Sequence, residues 1–326
     1  MGEKTDNVWA GFDLGGTKML AVILDEELKP LGRKRRKTRG FEGADAGLER
    51  ISETIQKALT EAELSPQNLK GIGIGCPGLL DLDKGIINEA PNLGWEKAAI
   101  CDFLKKKFDV PVILMNDVDA GLYGEFQFGA ARGSHNALGI FPGTGIGGAF
   151  LYEGRILQGK GRSCMEIGHI RVMPDGPLCG CGRHGCLEAV ASRLAISSAI
   201  AQAAFRGQAP FVKEKAGTDL SEIRSGLIAE AVKQDPVVDQ IVRQAARQIG
   251  LAAGSLVHLL SPDRIVLGGG LVEALPQLFR QEVKAGVEEW ILASFKDSFK
   301  IVVAELGDDA AVMGAAAFAR NFLKQT

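Results

Sequence analysis

Residues 8–24 read Val8-Trp-Ala-Gly-Phe-Asp13-Leu-Gly-Gly-Thr-Lys18-Met-Leu-Ala-Val-Ile-Leu24. Two apolar runs, Val8 to Phe12 and Met19 to Leu24, flank a glycine-rich segment, a pattern that predicts strand, tight turn, strand. The turn carries chemistry. Gly15 and Gly16 let backbone amides approach phosphate oxygens, Thr17 adds a hydroxyl and Lys18 a charge. Asp13 can hold a magnesium ion or its water. A plain hairpin turn accounts for the same residues on this evidence, and the Walker pattern G-x-x-x-x-G-K-[ST] is absent. The layout recurs as strand Leu138 to Phe141, turn Pro142-Gly-Thr-Gly-Ile-Gly-Gly148 and strand Ala149 to Tyr152, which suggests two similar lobes. Gly143 to Gly148 satisfies G-x-G-x-x-G, but a dinucleotide site needs a helix to start there. A strand follows instead, so a Rossmann oxidoreductase is set aside for a second phosphate-gripping hairpin.

Outward from these turns the chain alternates strand and helix. Leu31 to Thr38 reads as a third strand, with Arg33, Lys34, Arg35, Arg36 and Lys37 on it. A solvated, charge-guarded edge is the preferred reading over a nucleic-acid surface, because no aromatics interleave with the charges. Ala44 to Ala62 is an amphipathic helix, Leu69 to Gly75 a buried strand, and a loop carries Asn88, Pro91, Asn92, Gly94 and Trp95. Ile100 to Phe108 is a helix, Val110 to Met115 a strand and Val118 to Phe128 a helix. Further on, helices are expected over Ala189–Arg206, Leu220–Val232, Val237–Leu260, Pro276–Trp290 and Ala310–Lys324, with strands at Asp263–Leu267 and Lys300–Ala304. Apolar strands alternating with helices indicate α/β architecture. Ligands then gather beyond the carboxyl ends of the strands, where Asp13, Pro77-Gly78 and Asn116-Asp117 stand. Asp117 there can take a proton from a hydroxyl nucleophile, or simply cap the next helix. Gly268-Gly-Gly270 follows a strand and either lets adenine or ribose lie on bare backbone or opens a helix.

Three of the six cysteines, Cys179, Cys181 and Cys186, fall within eight residues, with His169 and His184 nearby. Three thiolates and one imidazole complete a tetrahedral zinc shell with no position left for substrate, so the metal is read as structural. Spacing alone leaves His169 and His184 both open as fourth ligand. Glu166 and Glu188 flank this knuckle. The chain has 326 residues, a length that favours two domains. The net charge of −2 gives no general pull toward nucleic acid or membrane. No apolar run is long enough to span a bilayer and no signal-peptide core is seen, so a cytoplasmic address is expected.

Together these segments resemble the ROK family (repressor, open reading frame, kinase) of the actin-like ATPase superfamily, and within it the bacterial glucokinases. The markers are Asp13 to Lys18, Asn116-Asp117, Gly143 to Gly148, Glu166-Ile-Gly-His169 and the Cys-Gly-Cys-Gly-x-x-Gly-Cys-Leu-Glu block ending at Glu188. The resemblance implies a ribonuclease H-like α/β fold of two lobes around a cleft. The small lobe would span residues 1–117 plus about 311–326, and the large lobe, with the zinc knuckle, 118–310. It implies ATP-dependent phosphorylation of a hexose 6-hydroxyl, most naturally glucose, with an N-acetylhexosamine or fructose kinase as the alternative. Asp117 would be the base. Asn92, Asn116, Asp117, Glu166, His169 and Glu188 would bind the sugar. Asp13, Gly15, Gly16, Thr17, Lys18, Gly143, Thr144 and Gly145 would hold the ATP phosphates with Mg2+, and Gly268, Gly269 and Gly270 the adenosine. His169 with Cys179, Cys181 and Cys186 would bind structural Zn2+. The partners implied are a sugar, a nucleotide and further copies of the chain as homodimer or homotetramer, without nucleic acid or membrane. A ROK repressor carries an N-terminal helix-turn-helix domain, and only seven residues precede the first strand; intact Asp117 argues against a non-catalytic sugar binder. One departure bears on the choice of hexose. A small residue and Gly usually precede the Glu of Glu-x-Gly-His, and Cys164-Met165 stand there, where Met165 would reshape the pocket wall.

Overall fold

The computed structural model describes residues 7–159, 162–163 and 165–324. It divides into two compact units: residues 1–132, 156–164 and 308–326, and residues 133–155 and 165–307.

The first unit begins with β1 (Val8–Leu14), β2 (Lys18–Leu24), β3 (Pro30–Lys37), α1 (Ala44–Glu61) and β4 (Leu69–Cys76). It continues with β5 (Leu79–Asp81), β6 (Ile86–Ala90), β7 (Trp95–Ala98), α2 (Ile100–Phe108), β8 (Val112–Asn116) and α3 (Asp117–Phe128). Its main sheet has the order β3-β2-β1-β4-β8, with β1–β2–β3 antiparallel and β1–β4–β8 parallel. Period-two alternation turns Val8, Ala10, Phe12 and Leu14 toward the apolar face of α1, where Leu48, Ile51, Ile55 and Leu59 are buried with them. The opposite face carries the C-terminal helix Ala310–Leu323, and the backbones come close there. A Cβ on Gly11 would stand 2.0 Å from Val312 O, and one on Gly73 would stand 1.9 Å from Ala315 O. Helix α3 meets the same C-terminal helix just as closely, since a Cβ on Gly314 would stand 1.9 Å from Ala120 O. This packing holds α3 in the first unit, whose first segment runs to Arg132 rather than stopping at Asp117.

The segment expected as a loop around Asn88 to Trp95 is a three-stranded antiparallel meander, β5-β6-β7. Trp95 anchors it. Its ring is buried against Gly47 of α1 and its Nε1–H donates to Gly40 O at 3.2 Å. The basic strand β3 is charge-paired: Arg33 to Asp309 at 2.8 Å, Arg35 to Asp308 at 3.0 Å and Arg36 to Glu53 at 2.7 Å.

The second unit repeats the strand order. Its elements begin with β9 (Ala137–Pro142), β10 (Ile146–Tyr152) and β11 (Arg155–Ile156), which ends at the unit boundary; the short pair that follows in the chain, β12 (Gln158–Gly159) and β13 (Arg162–Ser163), lies in the 156–164 segment of the first unit. Then come α4 (Leu187–Ala191), α5 (Arg193–Phe205), α6 (Pro210–Ala216), α7 (Ser225–Ala231) and α8 (Pro236–Leu260). The rest is β14 (Arg264–Leu267), α9 (Gly270–Ala274), α10 (Pro276–Trp290), β15 (Lys300–Val303) and α11, the C-terminal helix already placed in the first unit. The second sheet runs β11-β10-β9-β14-β15, the third-second-first-fourth-fifth order of the first sheet. The duplicated turn thus reflects a duplicated topology.

Three expectations are corrected. Strand β10 starts at Ile146, not Ala149, so the second turn is only Gly143 to Gly145. The helix expected over Ala189–Arg206 breaks at Ser192, whose Oγ accepts from Ala195 N at 3.1 Å and starts α5 afresh. Helix α7 starts at Ser225 rather than Leu220, and α6, which begins on Pro210, had no strong apolar period to announce it. Among the described residues no helix is long and apolar enough to cross a membrane.

Candidate active site

In the first unit three parallel strands end side by side. Asp13 on β1 pairs in register with Gly75 on β4, and Cys76 pairs with Asn116 on β8. Asn116, not Asp117, caps α3: its Oδ1 accepts from Val118 N at 2.8 Å and Asp119 N at 3.3 Å. Asp117 is the first helical residue, with Oδ1 3.0 Å from Val118 N. Burial raises its carboxyl above the usual range, against the pull of that backbone bond. Burial, then the Asp117 and Asp308 charges, lift Asp13 from 3.8 to about 7, with Lys18 and Arg35 acting the other way. Two basic carboxylates therefore share one electrostatic environment. Beside them Cys76 has a buried thiol, pushed up by burial and by the Asp117 and Asp13 charges. A further residue here, absent from the sequence-derived candidates, is Asp308, which binds Lys18 at 2.8 Å and Arg35 at 3.0 Å. An Asp-Asp pair opening the last helix was the available signal.

The first glycine turn closes through Gly15 N donating to Lys18 O at 3.1 Å. Thr38 braces it, its N–H on Thr17 O at 3.0 Å and its hydroxyl on Gly15 O at 2.6 Å. The Gly16 and Thr17 amides have no acceptor among the described residues, so two successive N–H groups are open to an anion. Asn92 lies in the exposed β6–β7 turn, with its Cβ 3.4 Å from where a Gly16 Cβ would be.

The second unit presents the parallel arrangement. Gly143 N donates to Gly145 O at 2.8 Å, and the Thr144 and Gly145 amides have no acceptor among the described residues. Glu188 reaches this turn. Its Oε2 accepts from Ile146 N at 3.0 Å, and a Cβ on Gly145 would stand 2.1 Å from it. Glu166 and His169 are exposed at the two ends of one 3-10 turn, where His169 N donates to Glu166 O at 3.0 Å. Gly168 between them packs on β10, since a Cβ there would meet Ile146 O at 2.4 Å. Gly268 lies against the Phe141 ring, Gly269 has φ +94° beside Pro142 O, and Gly270 opens α9. The glycine triplet is therefore both a bare surface and a helix start. Met165 is buried in the apolar core of this unit, so its bulk goes into packing; Cys164 lies outside the described residues.

The metal candidates come together. Ligand atoms of His169, Cys179, Cys181 and Cys186 all lie within 4.8 Å of one another, with Cys179 Sγ 3.7 Å from His169 Nδ1 and Cys181 Sγ 3.7 Å from Cys186 Sγ. Tetrahedral zinc with bonds of about 2.3 Å separates thiolate ligands by about 3.8 Å, so the donor set and spacing fit. A backbone hydrogen bond at Arg183 brings the Cys181 thiol down to about 7, whereas burial pushes the Cys179 and Cys186 thiols up, Cys186 to about 11. His184 is engaged elsewhere, its Nδ1 3.1 Å from Gly176 O. The two histidines left open by spacing are thus told apart.

Two sheets of one strand order, each opening on a glycine turn with free amides, define this molecule as a mixed α/β protein of the actin-like ATPase fold. The chain belongs to the ROK family, whose pattern it matches over residues 9–321. Among its relatives is the glucokinase of Thermotoga maritima, 32% identical over 95% of this chain and 96% of that one. It is similar in structure to a ROK family glucokinase from Streptomyces griseus solved with glucose and AMPPNP: 30% identity, TM-score 0.81, covering 97% of this chain and 100% of that one. A ROK hexokinase from Thermus thermophilus is 31% identical, with TM-score 0.81 over 98% of this chain and 100% of that one.

Proposed function

We propose that this protein transfers the γ-phosphoryl group of ATP to the 6-hydroxyl of glucose. The observation that carries the reading is the division of labour at the end of β8. Asn116 takes over the capping of α3, which leaves one oxygen of the half-buried, basic Asp117 carboxylate for substrate. Two glucokinases among the relatives, one of them solved with glucose and an ATP analogue, support glucose as the acceptor.

Asp117 receives the 6-hydroxyl proton as that oxygen attacks the γ-phosphorus, the bond from phosphorus to the bridging oxygen breaks, and ADP leaves. Asn92, Asn116, Glu166, His169 and Glu188 hydrogen-bond the ring hydroxyls, since amides, carboxylates and an imidazole accept or donate in fixed directions. The amides of Gly16, Thr17, Thr144 and Gly145 receive phosphate oxygens, Lys18 exchanges Asp308 for phosphate, and Gly268 to Gly270 accept the adenosine. Asp13 would hold Mg2+ or its water, and the ion neutralises phosphate charge when bound. His169, Cys179, Cys181 and Cys186 would hold a structural Zn2+, with the second ring nitrogen of His169 left for the sugar. A cytoplasmic address suits both ATP and three reduced, metal-binding thiols. Assembly as homodimer or homotetramer rests on the family resemblance.

A coupled ADP-release assay over glucose, mannose, fructose, N-acetylglucosamine and N-acetylmannosamine tests the reading. Glucose is expected to give the highest kcat/KM, and absence of sugar-dependent ADP release with every member would overturn it.

A further inference from the structure

Arg193 opens helix α5 and is fastened to the second glycine turn at two points. Its backbone N–H donates to Gly143 O at 2.9 Å, and its Nη2 donates to Thr144 Oγ1 at 3.1 Å. The hydroxyl is a weak partner for a guanidinium, which favours paired, planar acceptors such as carboxylate or phosphate. Among the described residues no carboxylate pairs with Arg193. The side chain is half-buried and Thr144 is exposed, so the guanidinium is held beside the turn rather than in bulk water.

Other features of the turn have the same polarity. The Thr144 and Gly145 amides lack acceptors among the described residues. The thirteen-residue α5 directs its N-terminus, the positive end of its dipole, to the same place. The carboxylate recorded on the turn, that of Glu188, is held by Ile146 N. A fixed cation and two free N–H groups therefore belong to one turn, beside the N-terminus of α5, whose Arg193 and Ala195 N–H groups are themselves taken by Gly143 O and Ser192 Oγ.

We propose that Arg193 is a ligand of the donor phosphates: on ATP binding its guanidinium leaves Thr144 Oγ1 for phosphate oxygens. This rests on the kinase reading above. It adds a phosphate contact from outside the glycine turns, to which the sequence offered no motif.

The test measures binding of adenosine, ADP, ATP and inorganic tripolyphosphate by calorimetry to wild type and to Arg193→Lys, Arg193→Gln and Arg193→Ala, each checked for an unchanged melting temperature. Arg193→Ala and Arg193→Gln are expected to weaken ADP, ATP and tripolyphosphate by about tenfold, as loss of a charge-assisted contact does, and to leave adenosine within about twofold. Arg193→Lys retains the charge and is expected to recover most of the loss. Gln can still donate to Thr144, so rescue by Gln and not by Lys would show that Arg193 only positions the turn, and would overturn the proposal. Equal affinities in all variants, or an equal loss for adenosine, would overturn it too while leaving the kinase reading intact. Wild type that binds tripolyphosphate but not ATP, with the former lost in Arg193→Gln, would refute the nucleotide reading and uphold the Arg193 assignment. Wild type that binds neither would refute both.

Discussion

The Glu188 carboxylate accepts the backbone N–H of Ile146 at 3.0 Å, so the residue that closes the cysteine knuckle also fixes the end of the second glycine turn. A sugar ligand at Glu188 would thus be tied by one hydrogen bond to the loop proposed to hold donor phosphate.

Glu188→Ala leaves the buried Ile146 N–H without its acceptor, a loss of about 1–3 kcal/mol of stability. Glu188→Gln keeps an acceptor oxygen and should lose much less. Chemical denaturation separates the two. In kinetics Glu188→Ala should raise KM for ATP as well as for glucose, whereas a pure sugar ligand would change glucose alone.

Gly145→Ala places a Cβ 2.1 Å from Glu188 Oε2 and expels the carboxylate from the turn. It should reproduce the ATP defect of Glu188→Ala. Because both act on one contact, the double variant should fall well short of the summed losses. Full additivity in KM for ATP would separate Glu188 from the turn.

Asp13 is raised to about 7 in the folded protein from an ordinary 3.8. Its folded form therefore favours the protonated carboxyl, and the cost of its charge is absent below pH 3.8, grows through the interval and is complete above about pH 7. Asp13→Asn removes that cost. In the absence of Mg2+ and nucleotide, its melting-temperature gain should be larger at pH 8 than at pH 5, while its kinase activity falls. A gain independent of pH would remove Asp13 from the buried, charge-strained role.

Metal analysis should find about one zinc per chain, lost in Cys181→Ser and His169→Ala. His184→Ala should keep it, because His184 bonds Gly176 O instead. Loss of the metal should lower glucose affinity and the melting temperature together. Metal-free wild type of normal activity would refute the knuckle.

Much of this was legible in the residues. Apolar strands and helical periods marked both sheets, since each is buried on a pattern of period two or 3.6. The glycine turns showed as a repeat. The cysteine cluster marked a candidate metal site whose fourth member spacing left open between His169 and His184; the structure brings His169 to the three thiols, as the family resemblance implied. What stayed hidden depends on contacts far apart in sequence. The β5-β6-β7 meander lies in a turn-rich stretch and is anchored by Trp95 on Gly40 and Gly47. The break at Ser192 was masked by continuous helix formers on both sides. Arg193 has no local motif and the Asp308-Asp309 pair signals only a helix start, while their partners Thr144 and Lys18 are 49 and 290 residues away. The likeness of Asp117 to a helix cap was settled only when Asn116 proved to hold that position.

The central claim is that Asp117 is the base for phosphoryl transfer to a sugar hydroxyl. The most direct measurement pairs glucose-dependent ADP release with glucose binding by calorimetry in Asp117→Ala. Turnover is expected to fall by about 10²–10⁴-fold, the usual contribution of a positioned general base, while the variant stays folded and still binds glucose. Turnover within a few-fold of wild type would contradict it.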